Sequence, residues 1–162
     1  MKAVYFTEHG GTEVLTYGDL PEPPIGPNEV RVRVRACALN RLDLYTRMGV
    51  RGTRMGLEQP HVLGGDSAGD VAEVGSEVTM VNVGDRVVVN PKLTCGQCQY
   101  CIAGDDELCI APGMLGSTQN GSYAEYVTIP AANAVRIPET ISYEKAASLP
   151  TVFMPSWNIL VR

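Results

Sequence analysis

Thr94-Cys95-Gly96-Gln97-Cys98-Gln99-Tyr100-Cys101, closed by Cys109, holds four of the five cysteines of the chain. The spacing is C-x2-C-x2-C-x7-C. A C-x2-C step lets two thiolates reach one ion, because the tight turn brings both Sγ atoms inward. Four thiolates with no histidine and no spare carboxylate suit a closed tetrahedral zinc site. A closed site leaves no position for water or substrate, so the expected zinc on Cys95, Cys98, Cys101 and Cys109 is structural. An iron–sulfur cluster is the rival metal reading. It would place the fourth cysteine three residues after the third and before a proline, whereas the gap here is seven and Ile110 follows Cys109. Disulfides are the remaining alternative.

The surrounding composition bears on that choice. At 162 residues, 44% apolar and 19% charged, the chain is long enough for one domain with a real core. Mean hydropathy is −0.02. No secretory or membrane-spanning apolar run occurs, and the expected setting is cytoplasmic, where clustered thiols bind metal more often than they pair. Cys37, far from the cluster, is expected to pack as a small buried hydrophobe. Net charge is −5, which argues against a nucleic-acid surface. Arg31, Arg33 and Arg35 alternate with Val30, Val32 and Val34 and read as a solvated strand face. Arg41, Arg47, Arg51 and Arg54 leave room for a local basic rim, for instance near a phosphate-bearing cofactor.

Along the chain, short strands are expected at 2–6, 13–18, 30–38, 71–74, 86–90, 123–129 and 134–137. His9 reads as an exposed turn residue. The period changes at Asn40–Met48, where Leu42, Tyr45 and Met48 at helical spacing predict a short helix ended by Gly49. Ser142 caps a second helix, and helix-like sequence resumes from Met154 to the end. Many short strands with Gly/Pro turns give a mainly β fold, barrel or sandwich, with short helices. No G-x-G-x-x-G turn joins a strand to a helix, so no Rossmann fingerprint is present.

These pieces occur in an order that resembles the N-terminal part of the medium-chain dehydrogenases/reductases, the family of zinc-type alcohol dehydrogenases and quinone oxidoreductases. The matching segments are Val34-Arg35-Ala36-Cys37-Ala38-Leu39-Asn40, Leu63-Gly64-Gly65-Asp66-Ser67-Ala68-Gly69, Val83-Gly84-Asp85-Arg86-Val87, the cysteine lobe, Gly121-Ser122-Tyr123-Ala124-Glu125-Tyr126-Val127 and Ala146-Ala147-Ser148-Leu149-Pro150. The resemblance implies a GroES-like distorted β-barrel over 1–139 with a zinc-stapled lobe at 91–116. Residues 140–162 would then be a helical connector to a nucleotide-binding domain absent from this chain. Family members run to about twice this length, with a Rossmann domain following, so the chain alone is expected to be inactive.

The resemblance also locates a second, catalytic zinc in alcohol dehydrogenases, and the residues there depart from it. The cysteine position falls on Asn40, the histidine on Gly65 and the late cysteine near Thr151, with Leu42 where a proton-passing hydroxyl is used. Asp66 alone could offer an oxygen ligand. The implied enzyme is an NAD(P)H-dependent quinone, enone or carbonyl reductase with one structural zinc and no catalytic one. Asn40, Tyr45 and Asp66 are the expected catalytic residues, and Asn40 and Arg41 the expected cofactor contacts. Two readings of Tyr45 stand side by side: a hydrogen-bond or proton donor at the nicotinamide, and a helix residue packed beneath the cleft. Asp43 is expected to cap the short helix or to pair with Arg86. The full-length enzyme would take a small-molecule substrate and form a homodimer or homotetramer, with no nucleic-acid or membrane partner. A zinc-dependent alcohol dehydrogenase with an unusual site, a non-catalytic zinc-stapled binding module and a zinc-ribbon nucleic-acid binder are the alternatives.

Overall fold

The computed structural model describes residues 1–161. Arg162, the end of the expected connector, lies outside the described residues. Strand β1 (Lys2–Phe6) pairs antiparallel with β2 (Thr16–Asp19). A 3-10 turn at Thr12–Val14 precedes β2, so the expected strand at 13–18 starts late. The period-two run becomes β3 (Glu29–Cys37), the longest strand, an inner strand of the main sheet. Helix α1 (Arg41–Met48) follows and ends at Gly49, which adopts the left-handed C-cap conformation. Then come β4 (His61–Val62), paired with β1, and β5 (Ser67–Val74), β6 (Arg86–Val89) and β7 (Lys92–Leu93).

The cysteine lobe carries α2 (Gln99–Ala103) and closes where β7 pairs with β8 (Gly113–Met114). The chain returns through β9 (Tyr126–Pro130) and β10 (Ala134–Arg136), then α3 (Tyr143–Ala147) and α4 (Pro150–Val161). Three sheets result, ordered β2-β1-β4, β10-β6-β5-β3-β9 and β7-β8. The five-stranded sheet curls into a half-barrel. Its concave face buries Val30, Val32, Val71, Val87, Val89, Val127 and Ile129, the β-branched residues that a pleated surface packs best. Burying each such side chain contributes roughly 1.5–3 kcal/mol. A second cluster seats Ala146 and Ala147 of α3 against Ala68. No helix among the described residues is long and apolar enough to cross a membrane.

Several expectations change. Cys37 is exposed. It has the odd-numbered parity of Arg31, Arg33 and Arg35, and Val30 and Val32 claim the core, so the pleat turns its thiol outward. The arginine face is not simply solvated: Arg31 reaches both Glu22 and Glu73 at 3.0 Å, and Arg35 reaches Asp70 at 2.7 Å. His9 is half-buried, with Nδ1 at 3.0 Å from the Thr46 carbonyl and Nε2 accepting from the Met55 N–H at 3.2 Å. Helix α4 begins at Pro150 and not at Met154, because proline at the first helical position loses no hydrogen bond. Regular pairing of β9 begins at Tyr126, after an isolated bridge between Ala124 and Ala3.

Candidate functional site

Two centres emerge. In the lobe, the Sγ atoms of Cys95, Cys98, Cys101 and Cys109 all lie within 4.8 Å of one another. Cys98 and Cys101 are 3.5 Å apart, and Cys95 and Cys101 are 3.9 Å apart. Tetrahedral zinc with thiolates at about 2.3 Å would set sulfurs roughly 3.8 Å apart, so the cluster fits that ion. These separations far exceed a disulfide bond, and all five cysteines are free thiols. Local backbone builds the site. Cys98 caps α2, accepting from the Cys101 N–H at 3.5 Å, and Cys109 accepts from the Cys95 N–H at 3.3 Å. The Cys101 N–H, acting first, brings the Cys98 thiol down to about 6. The Cys95 N–H likewise lowers Cys109. Desolvation, then the Cys98 thiol, pushes Cys101 up to about 12. Thiols so crowded cannot all ionise by themselves. A divalent cation would take all four as thiolates and staple a lobe that has little core of its own.

The second centre forms where α1, the loop before β5 and the start of α4 meet. Asp66 is 1% exposed. Its carboxylate accepts from Asn40 Nδ2 at 3.0 Å, from the Thr151 hydroxyl at 2.7 Å and from the Thr151 N–H at 3.2 Å. Both Thr151 donors lie in the first turn of α4, where a carboxylate is favoured by the free N–H groups and the helix dipole. Because a backbone N–H can only donate, the Asp66 oxygens act as acceptors. That assigns the Asn40 amide nitrogen, not its oxygen, to the Asp66 side.

Asp43 ties the same elements together from behind. Its oxygens accept from the Asn40 N–H at 2.7 Å, the Gly64 N–H at 3.1 Å and the Tyr123 hydroxyl at 3.0 Å. Asp43 does cap α1, as expected. The alternative pairing with Arg86 does not occur: Arg86 donates to the Pro138 and Ile141 carbonyls and lies over the Tyr143 ring. Burial pushes the Asp43 carboxyl up, against the pull of its three donors. Burial, then the Asp43 charge, raises the Tyr123 hydroxyl. Gly64 permits this closeness. Its φ is +102°, and a Cβ there would meet the Tyr123 ring at 2.5 Å.

The structure therefore joins Asn40 to Asp66 and adds Thr151 as their partner. Gly65 sits in the same loop, where a Cβ would meet the Leu115 carbonyl at 3.3 Å. Tyr45 lies farther along α1, half-buried, with the Arg51 guanidinium 5.0 Å over its ring. Arg41 is exposed at the start of α1. The buried face of α1 is polar, made by Asp43 and Thr46, and Met48 is exposed. Periodicity of apolar residues missed this, because the face turned inward serves hydrogen bonds. The Thr46 hydroxyl, for example, donates to Ser117 Oγ at 3.2 Å.

A mainly β half-barrel carrying a four-cysteine lobe is a GroES-like domain. Residues 26–139 match the model of the alcohol dehydrogenase GroES-like domain, and the chain belongs to that family. Among curated relatives, L-threonine 3-dehydrogenase of Yersinia pestis (strain Pestoides F) is 36% identical over 140 residues. The match covers 86% of this chain and 40% of that protein, so the chain spans well under half the length of the curated relatives it matches. Among solved structures, an NAD-dependent alcohol dehydrogenase superposes with a TM-score of 0.94 at 47% identity, covering 99% of this chain and 46% of that one. A cobalt- and zinc-bound thermostable alcohol dehydrogenase from Pyrobaculum aerophilum gives a TM-score of 0.82 at 37% identity, covering 93% and 44%.

Proposed function

We propose that this chain is the substrate-side domain of an NAD(P)H-dependent oxidoreductase that reduces a quinone, enone or carbonyl compound without a catalytic metal. The observation that carries this reading is the Asp66 node. The three positions to which the family resemblance assigns catalytic zinc ligands hold an amide, a glycine and a hydroxyl. Two of them, Asn40 and Thr151, are hydrogen-bonded to Asp66. A metal does not fit there: one carboxylate is too few for the three protein ligands such a site needs. The dehydrogenase names of the relatives support the reaction class.

When bound, the nicotinamide supplies the hydride. Asn40 holds one Nδ2 hydrogen on Asp66, which leaves the other to donate to the substrate carbonyl oxygen as negative charge grows there. Tyr45 delivers the proton to that oxygen, and Arg41 meets the cofactor pyrophosphate. Asp66 acts by orienting Asn40. The domain spans 1–139 with the lobe at 91–116, and 140–162 leads to the nucleotide-binding domain. The full-length enzyme is cytoplasmic and forms a homodimer or homotetramer.

Metal analysis is the test. One zinc per chain supports the proposal. Two per chain would support a zinc-dependent alcohol dehydrogenase, which the metal-bound Pyrobaculum relative favours. In the full-length enzyme, unchanged kcat and KM after Tyr45→Phe would remove Tyr45 from the mechanism.

A further inference from the structure

Residues 41–54 hold four of the thirteen cationic side chains of a protein with net charge −5. The one acid among them, Asp43, is buried and engages both oxygens with internal donors. On β3, two of the three arginines, Arg31 and Arg35, are matched by Glu22, Glu73 and Asp70, and Arg33 is exposed without an ion pair among the described residues. Among the described residues, Arg41, Arg51 and Arg54 are exposed and make no ion pair. Arg47 already supplies the cation that suits the last turn of α1, and its Nε donates to the Gly10 carbonyl at 3.3 Å. The other arginines are surplus to that role.

Arg51 is also held in place. Among the described residues it is the one non-glycine at positive φ, +55°, with Gly52 next at +83°. The two occupy the centre of a turn closed by the Thr53 N–H donating to the Val50 carbonyl at 3.2 Å, with the Thr53 hydroxyl on the same oxygen at 2.7 Å. Consecutive positive φ angles favour Asn, Asp or Gly, and an arginine there costs on the order of 1 kcal/mol. Turn chemistry therefore does not explain it. The guanidinium lies 5.0 Å over the Tyr45 ring. A guanidinium held over an aromatic ring keeps N–H groups available for a planar anion. His9 fastens both ends of the segment, with its ring nitrogens at the Thr46 carbonyl and the Met55 N–H. A strained, stacked and unpaired cation on a fastened loop is pre-organised for a ligand.

We propose that Arg51, stacked on Tyr45, is an anion-recognition site, and that the substrate carries a carboxylate or phosphate. The substrate assignment rests on the function proposed above; anion binding itself does not. The test is a titration of the ¹⁵N-labelled chain at constant ionic strength, with inorganic phosphate and, separately, with acetate. Saturable shifts at the Arg51 side-chain N–H and at the Gly52 and Thr53 amides are expected with at least one anion. The tighter of the two assigns the substrate group. Arg51→Asn keeps a residue that tolerates positive φ and should weaken that binding about tenfold or more. Unperturbed spectra elsewhere in Arg51→Asn would show that the fold is intact. Linear shifts without saturation, or binding that survives Arg51→Asn and so resides at Arg41, would overturn the site. Neither result alters the zinc count, so failure here and failure of the metal-free reading are distinguishable.

Discussion

The cysteine lobe and the Asp66 node are built on opposite plans. The lobe draws its four functional atoms from fifteen consecutive positions, Cys95 to Cys109, and local backbone N–H groups tune them. The node draws on residues 26 and 85 positions apart, Asn40 and Thr151 around Asp66, and it needs the half-barrel, α1 and α4 all in place. The expectation is therefore that the lobe loosens without unfolding the sheet, whereas the node fails only with the fold. Chemistry placed at the node inherits the rigidity of the sheet, and metal placed in the lobe contributes stability only nearby.

The largest expected effect tests that independence. Cys95→Ser removes one of four thiolates from a site whose zinc affinity is on the order of 10 kcal/mol in small structural sites. Residues 91–116 should lose hydrogen-exchange protection and zinc together, while amides of β3, β5 and β6 stay protected. Loss of protection across those strands would erase the contrast between the two regions. Asp43→Ala should come next. It strands the Asn40 N–H, the Gly64 N–H and the Tyr123 hydroxyl together, at a cost of about 3 kcal/mol. Urea unfolding measures it, and the zinc content should not change.

How much of this was legible follows from the same contrast. Short-range patterns read well. The cysteine spacing picked out the four-thiol cluster, and strict alternation at 30–38 picked out β3, with Val30 and Val32 inward. Cys37 was misplaced for a reason that the pattern itself contained. Its parity matches the arginines, and position on the pleat outweighs the general preference of cysteine for burial. His9 could not be read as a clamp, because its partners lie 37 to 46 residues away and are backbone atoms without sequence identity. Family order brought Asn40, Gly65 and Thr151 to one place. It did not reveal that Asp66 would gather the first and last of them by hydrogen bonds.

Thr151→Val sharpens the account of the node. It keeps the shape and the N–H but deletes the hydroxyl bonded to Asp66 at 2.7 Å. About 1–2 kcal/mol should be lost on unfolding. Thr151→Ser should restore most of it, which a purely steric role for the side chain would not allow. In the full-length enzyme, Thr151→Val should lower kcat more than it raises KM, because Asn40 loses its fixed acceptor geometry.

The smallest effect lies at the seam between the two regions. His61 is buried, meets the ring of Phe6 edge-on and has Nε2 3.3 Å from the carbonyl of Gly116, the last residue of the lobe. Burial lowers its pKa below the ordinary 6.5. The unfolded chain then binds more protons than the folded one between the folded-state pKa and 6.5. Stability accordingly rises with pH across that window and is lost as pH falls through it. Asp43 works in the opposite sense at lower pH: its raised carboxyl binds a proton more readily folded than unfolded, so its contribution is lost as pH rises. Urea titrations carried downward from pH 7.5 read the two opposed slopes, with Asp43→Ala and His61→Gln assigning each to its group. His61→Gln should flatten the rise of stability with pH below 6.5, without altering the pH at which zinc leaves the lobe. A shift in that zinc-release pH would mean that the seam transmits strain, and the lobe and the node would have to be treated as one coupled unit.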